Sequence, residues 1–286
     1  MTRVFLVGAK RTAFGAFGGR LTQYSATDLA VHATKAALAS AGLSAAAVDT
    51  CVVGNVSQTS ADAAYLARHV ALKSGMEVPT PALTVNRLCG SGFQSVVNVA
   101  QEIKLGEAKI GVAAGTESMS QAPMSAYGQH VRFGTKLGSD LKMVDTLWAG
   151  LIDTHGQCPM GITAENLAED HGITRIMSDA YAVQSQTRYL EALKAGLFEA
   201  EIAPMTLPSK KGLADFSVDE HPRLSTLEQM AKLKPTFKKE GVVTAAAASG
   251  ICDGAGPDDA PDQPPPPPSA PPSHSTRRST LQRQVR

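Results

Sequence analysis

A chain of 286 residues with 43% hydrophobic residues is long enough for one large domain or two ordinary ones around a buried core. Its net charge of +1 gives no electrostatic footprint for nucleic acid or for an acidic membrane surface, and no apolar run has the length of a membrane span. Four scattered cysteines, Cys51, Cys89, Cys158 and Cys252, show neither metal-ligand spacing nor a dense disulfide framework, so a reducing compartment is expected.

In chain order, Val4 to Gly8 reads as a strand, and this early strand leaves no ordinary secretory signal in view. A loop with Gly15, Gly18 and Gly19 follows. A helix is expected from about Ser25 or Thr27 to Ser40, with Gly42 ending it. Asp49 to Val56 reads as a strand, Asp62 to Ser74 as a helix, and Pro81 to Asn86 as a short buried strand. Phe93, Val96, Val97, Ala100 and Ile103 then recur at helical spacing as far as about Lys104, and Lys109 to Gly115 is another apolar strand. Strands alternating with helices argue for a layered α/β domain with a mainly parallel sheet. Beyond Ser118 the periodicity weakens. Helices are expected at Thr163 to His171, Ser178 to Leu197 and Thr226 to Leu233, with an extended piece from Glu201 to Leu207. From Pro257 the chain turns proline-rich and polar, a composition that cannot build a core.

The chemistry centres on Cys89, placed where a strand turns into a helix. Gly90 and Gly92 are expected to permit that turn and close approach of a substrate. The amides of the first helical turn and the helix dipole favour negative charge there, so the position suits a thiolate and a developing oxyanion. An activated cysteine poised for acyl transfer is one reading of the local pattern. A small buried cysteine beside glycines is the commoner one.

Asn86-Arg-Leu-Cys-Gly-Ser-Gly-Phe-Gln-Ser95 resembles the nucleophile motif of the thiolases, the acetyl-CoA and 3-ketoacyl-CoA acyltransferases. Other segments agree in the family's order: Ala9 to Gly15, Gly54-Asn-Val56, Tyr65 to His69, Gly115 to Ser120 and Thr163 to Asn166. The resemblance covers residues 1 to about 256 and implies a thiolase-like layered α/β fold with the C-terminal half missing. It divides the chain into an N-terminal α/β half (1–118), an inserted loop domain that binds coenzyme A (119–243), a return to the first half (244–256) and a disordered proline-rich tail (257–286). The tail could be a ligand for a proline-recognising domain, but an unselected end is the better reading.

By the same resemblance Cys89 takes an acyl group from a coenzyme A thioester. Arg223 and Thr226 contact the nucleotide end, Ser249 hydrogen-bonds pantetheine, and Met160 lies near the reacting acyl group. Without the resemblance, Arg223 would be a solvated charge, Ser249 a cap and Met160 ordinary core. No cofactor or metal is implied, only acyl-CoA and coenzyme A as substrates, and a homo-oligomer in the mitochondrial matrix or cytoplasm. Two departures stand out. Thr244-Ala-Ala-Ala-Ala-Ser-Gly250 has alanines where the family has glycine and asparagine. The family's Asn-Glu-Ala-Phe and Gly-His-Pro motifs do not occur in these 286 residues, and the resemblance does not extend to the second half that carries its Cys-x-Gly acid/base cysteine. His69, His130, His155, His171 and His221 read as surface or packed residues. The expected activity is therefore thiolase-type acyl transfer, impaired in this chain. The alternative is a non-catalytic thiolase-like fragment that binds acyl-CoA or a partner subunit.

Overall fold

The computed structural model describes residues 3–209 and 212–260. The first region runs β1 (Gly8–Ala9), β2 (Gly15–Ala16), α1 (Ala26–Ser40), β3 (Thr50–Gly54), α2 (Leu66–Ser74), β4 (Ala82–Val85), α3 (Ser91–Leu105) and β5 (Gly111–Ser118). Ser25 caps α1 with a reciprocal bond to Asp28, the capping box that its sequence spells. The excursion that follows carries β6 (Met124–Ser125), α4 (Gly128–Val131), β7 (Val144–Asp145), α5 (Thr146–Gly150), β8 (Ile152–Asp153), β9 (Cys158–Pro159), α6 (Met160–Asp170) and α7 (Arg175–Lys194). It closes with the β10 (Met205–Ser209) and β11 (Gly212–Phe216) hairpin and α8 (Leu227–Ala231), and β12 (Cys252–Ala260) returns to the main sheet.

The main sheet has the order β1-β12-β5-β3-β4, with β2 also on β12. Strands β4, β3 and β5 are parallel, but β12 is antiparallel to β5 and to β1 and β2. The sheet is therefore mixed rather than mainly parallel. The excursion leaves from the C-terminal end of β5 and comes back to the same end. β12 must then run down the sheet in the opposite sense.

Strand alternation splits the core into two layers. Cys51, Val53, Val112 and Ala114 face α1 and α2, where Leu29, Ala33, Leu66 and Val70 are buried. Val52 and Ala113 face α3 and meet Val99 there. The layer under α3 is thin. Phe93 is 59% exposed and Leu105 74%, and Val97 and Leu83 are also exposed.

Three expectations are corrected. The first strand is only Gly8–Ala9, because Arg3 to Val7 find no ladder partner among the described residues and Leu6 and Val7 stay exposed. The left-handed residue of the nucleophile turn is Leu88, at φ 51°, not Gly90 or Gly92. The strand of the sheet does not stop at Gly256, because β12 continues through Pro257 to Ala260. A residue's N–H and C=O point to the same side of an extended strand. The Pro257 carbonyl accepts from Lys10 N at 3.3 Å, so its donor-less nitrogen faces the β1 side and removes no bond to β5. The proposed tail otherwise lies outside the described residues.

Candidate active site

The site begins with a turn held under tension. Leu88 occupies left-handed backbone, which costs a non-glycine residue about 1–3 kcal/mol and persists only where the surroundings fix it. The fixing bonds are local. Leu88 N donates to Asn86 Oδ1 at 2.9 Å, and Ser91 Oγ donates to the Leu88 carbonyl at 2.6 Å. Ser91 Oγ also accepts from Arg87 N at 2.8 Å, and Gly90 N donates to the Arg87 carbonyl at 3.1 Å. Cys89 is thereby presented to solvent just before Gly90, the N-cap of α3. It stands at the positive dipole end of a 15-residue helix.

A floor of glycines allows the helix to start there. A Cβ on Gly54 would lie 2.3 Å from the Ser91 carbonyl oxygen and 2.7 Å from Gly92 N. A Cβ on Gly115 would lie 2.9 Å from Gly92 Cα. Gly54 ends β3 and Gly115 lies mid-strand in β5, so the first turn of α3 rests directly on two strand backbones. Ser95, fully buried, adds a bond from its hydroxyl to the Ala114 carbonyl at 2.9 Å.

Glu117 reaches the same end of the sheet on the α3 side. Its carboxylate accepts from the amides of Val56 and Ser57. Burial pushes its carboxyl above the ordinary range, while those two amides pull it back down. Cys252 is half-buried, and burial, followed by the neighbouring Asp253, Glu117 and Asp219, pushes its thiol up.

The residues expected to bind coenzyme A are only partly brought together. Ser249 lines a cavity of about 530 Å³ with Met177, Tyr181 and Ala246 to Ala248. Arg223 lines an adjoining cavity of about 470 Å³ with His221, Ser225 and Met230. The two share Gln186, Ala246 and Ala248. Arg223 is exposed, and its backbone N–H donates to Gln186 Oε1 at 2.9 Å. Ser249 caps no helix; it follows the turn at Ala245 to Ala247. Ala246 and Ala247 sit at ordinary negative φ, so the alanine run strains nothing here. Thr226 lines neither cavity. It is the N-cap of α8, its hydroxyl accepting from Gln229 N. Met160 opens α6, 57% exposed, and also lines neither cavity.

Sequence reasoning passed over Gln186, His221 and Ser225 as lining groups. His221 pairs with the Ile251 carbonyl at 2.9 Å, a contact over 30 residues that no local spacing announces. Glu117 and Asn86 lay inside quoted motifs but were given no role. His69 stacks on Tyr65 and sits 3.2 Å from Asp62, as a packed residue does.

The comparisons with known proteins agree with this geometry. The model of the thiolase N-terminal domain matches residues 4–257. The chain belongs to the thiolase family. The mitochondrial 3-ketoacyl-CoA thiolase of Bos taurus is 56% identical over 254 residues, 88% of this chain and 64% of that thiolase. The acetyl-CoA acetyltransferase of Cupriavidus necator is 45% identical over 258 residues, covering 89% and 65%. The crystal structure of human mitochondrial 3-ketoacyl-CoA thiolase superposes with a TM-score of 0.88 at 55% identity, covering 91% of this chain and 66% of that one. A second crystal structure of the human enzyme, in complex with CoA, gives 0.86. This thiolase chain thus spans about two thirds of the length of the relatives it matches, and its fold is the mixed α/β fold of their N-terminal part.

Proposed function

We propose that this chain carries the acyl-accepting half of a thiolase-type acyltransferase. In this reading Cys89 attacks the carbonyl of a coenzyme A thioester, coenzyme A leaves as the thiol, and a Cys89 thioester remains. A thioester on the protein keeps the acyl group activated for transfer, either to an acyl-CoA carbanion or back to coenzyme A. The observation that carries the proposal is the exposed Cys89 at the N-cap turn of α3, on the Gly54 and Gly115 floor. Amides at the helix start suit the oxyanion of the tetrahedral intermediate. Arg223 is assigned to the phosphates of coenzyme A, Ser249 to pantetheine, Thr226 to the nucleotide end and Met160 to the acyl group. No metal or further cofactor takes part.

We further propose that the domains divide at 1–118, 119–243 and 244–260, and that β12 completes the first. Carbon–carbon bond formation needs a base for the α-carbon. Positioned acid–base groups contribute about 10²- to 10⁴-fold each. The 286 residues hold no Gly-His-Pro motif of the family, so turnover by this chain alone is slow. A second reading, a thiolase-like subunit that binds acyl-CoA and a partner chain, is favoured by the exposed Phe93, Val97 and Leu105 on α3. The relatives named mitochondrial make the matrix the compartment we favour, and we propose a homo-oligomer as the assembly.

The test is to incubate the purified chain with acetyl-CoA and weigh the Cys89 peptide. An acetyl adduct absent from Cys89→Ala supports the first reading. Coenzyme A binding without any adduct supports the second. Acetoacetyl-CoA thiolysis at the rate of full-length thiolases would overturn the expectation of slow turnover.

A further inference from the structure

Glu117 lies at the end of β5, in register with Gly254 of β12, and its side chain turns to the α3 face of the sheet. There it clamps the segment that follows β3. Its carboxylate accepts from Val56 N, and Ser57 N lies 3.3 Å from Oε2. The same segment is tied to β5 a second time by Asn55, whose buried Nδ2 donates to the Thr116 carbonyl at 2.8 Å. With its N–H held by Glu117, Val56 turns its carbonyl to Asn86, whose Nδ2 donates to it at 3.3 Å. Asn86 Oδ1 then accepts from Leu88 N at 2.9 Å. Leu88 is the left-handed residue immediately before Cys89.

We propose that Glu117 is a positioning residue for the nucleophile, acting through Val56 and Asn86 to hold Leu88 in its left-handed conformation and Cys89 against the start of α3. The physical reason is the strain at Leu88. A leucine leaves that backbone region whenever its bonds are released. A single amide-to-amide bond from Asn86 resists this only if Asn86 is itself anchored, and Val56 is anchored by Glu117. One carboxyl oxygen of Glu117 faces both the Val56 and the Ser57 amide, so a single acceptor anchors the segment. On release, Cys89 Sγ moves away from the first-turn amides. The inference rests on the reading of Cys89 as nucleophile, but its test needs no substrate.

The experiment measures the rate at which iodoacetamide alkylates Cys89, by peptide mass, with half-exposed Cys158 of the excursion as internal reference. Glu117→Ala is expected to slow Cys89 by about fivefold, the size of a lost helix-terminus interaction, and to leave Cys158 unchanged. Glu117→Gln keeps an oxygen acceptor for the two amides and is expected to restore the wild-type rate. Asn86→Ala cuts the second link and should match Glu117→Ala, and the double variant should be no slower than either single one. Should Glu117→Ala fail to fold, Asn86→Ala and Glu117→Gln still decide the matter. Asn86→Ala labelling at the wild-type rate, a folded Glu117→Gln that labels fivefold slower, or multiplicative effects in the double variant would overturn the proposal. An acetyl adduct missing from wild type, with this labelling pattern intact, would sink the acyltransfer reading and leave this one standing.

Discussion

Substituting Gly54 by alanine tests whether the strand ends fix the nucleophile. The new Cβ would sit 2.3 Å from the Ser91 carbonyl oxygen, 2.4 Å from its carbonyl carbon and 2.7 Å from Gly92 N. All three are backbone atoms, so no side chain can swing aside. Reaching ordinary contact near 3.5 Å requires the start of α3 to rise by about 1 Å. Forcing a methyl group into a packed site costs about 1–3 kcal/mol. For a domain of this size that lowers the melting temperature by roughly 2–12 °C. The same 1 Å displaces Cys89 from its turn, and a misplacement of about that size can cost 10²-fold in a positioned reaction. The assay pairs a thermal melt with formation of the Cys89 acetyl adduct. Gly106→Ala is the comparison. Its φ is 78° and nothing lies within 4 Å of the added Cβ, so it strains the C-cap of α3 by about 1–2 kcal/mol without touching the turn. Gly54→Ala is expected to slow adduct formation far more than Gly106→Ala. Equal adduct rates in the two variants, or a Gly54→Ala protein that melts and reacts like wild type, would refute the glycine-floor argument.

Competitive alkylation at neutral pH should label exposed Cys89 ahead of half-buried Cys158 and Cys252 and buried Cys51, and earlier labelling of Cys252 would count against the site. Glu165, 3% exposed, accepts from Val242 N at 2.8 Å and Val243 N at 3.0 Å. Glu165→Ala removes the acceptor of two part-buried donors, so hydrogen exchange at those two amides should accelerate, and unchanged exchange would refute the clamp. Asp49 is held below the usual carboxylate range by the amides of Ile110 and then Lys109. A depressed carboxyl stabilises the fold above its unfolded pKa and loses that contribution as pH falls through its folded value. Asp49→Asn should therefore melt below wild type at pH 7, and the gap should close in the acid range; a gap that widens there would reverse the assignment. Arg223→Ala should weaken coenzyme A binding while leaving Cys89 alkylation unchanged, as titration calorimetry and labelling can show.

The elements nearest Cys89 were legible from sequence because their signals are local. Ser25 opens α1 and Gly42, in left-handed backbone, follows its end, and the apolar period of α3 marks its length. Even Cys89 at the strand-to-helix turn follows from neighbours along the chain. The sense and extent of β12 did not follow, because direction in a sheet is set by where a 133-residue excursion re-enters it. Composition alone made Pro257 a tail residue, whereas the Lys10 amide, distant in sequence, makes it a strand residue. Glycine at 54 and 115 appears in the sequence only as part of two family-like segments, and its reason shows once the helix is seen resting on both. The link from Glu117 through Val56 and Asn86 to Leu88 joins three separate segments. Hydrogen bonds between such segments leave no period in a sequence, so only the folded arrangement shows what holds the nucleophile in place.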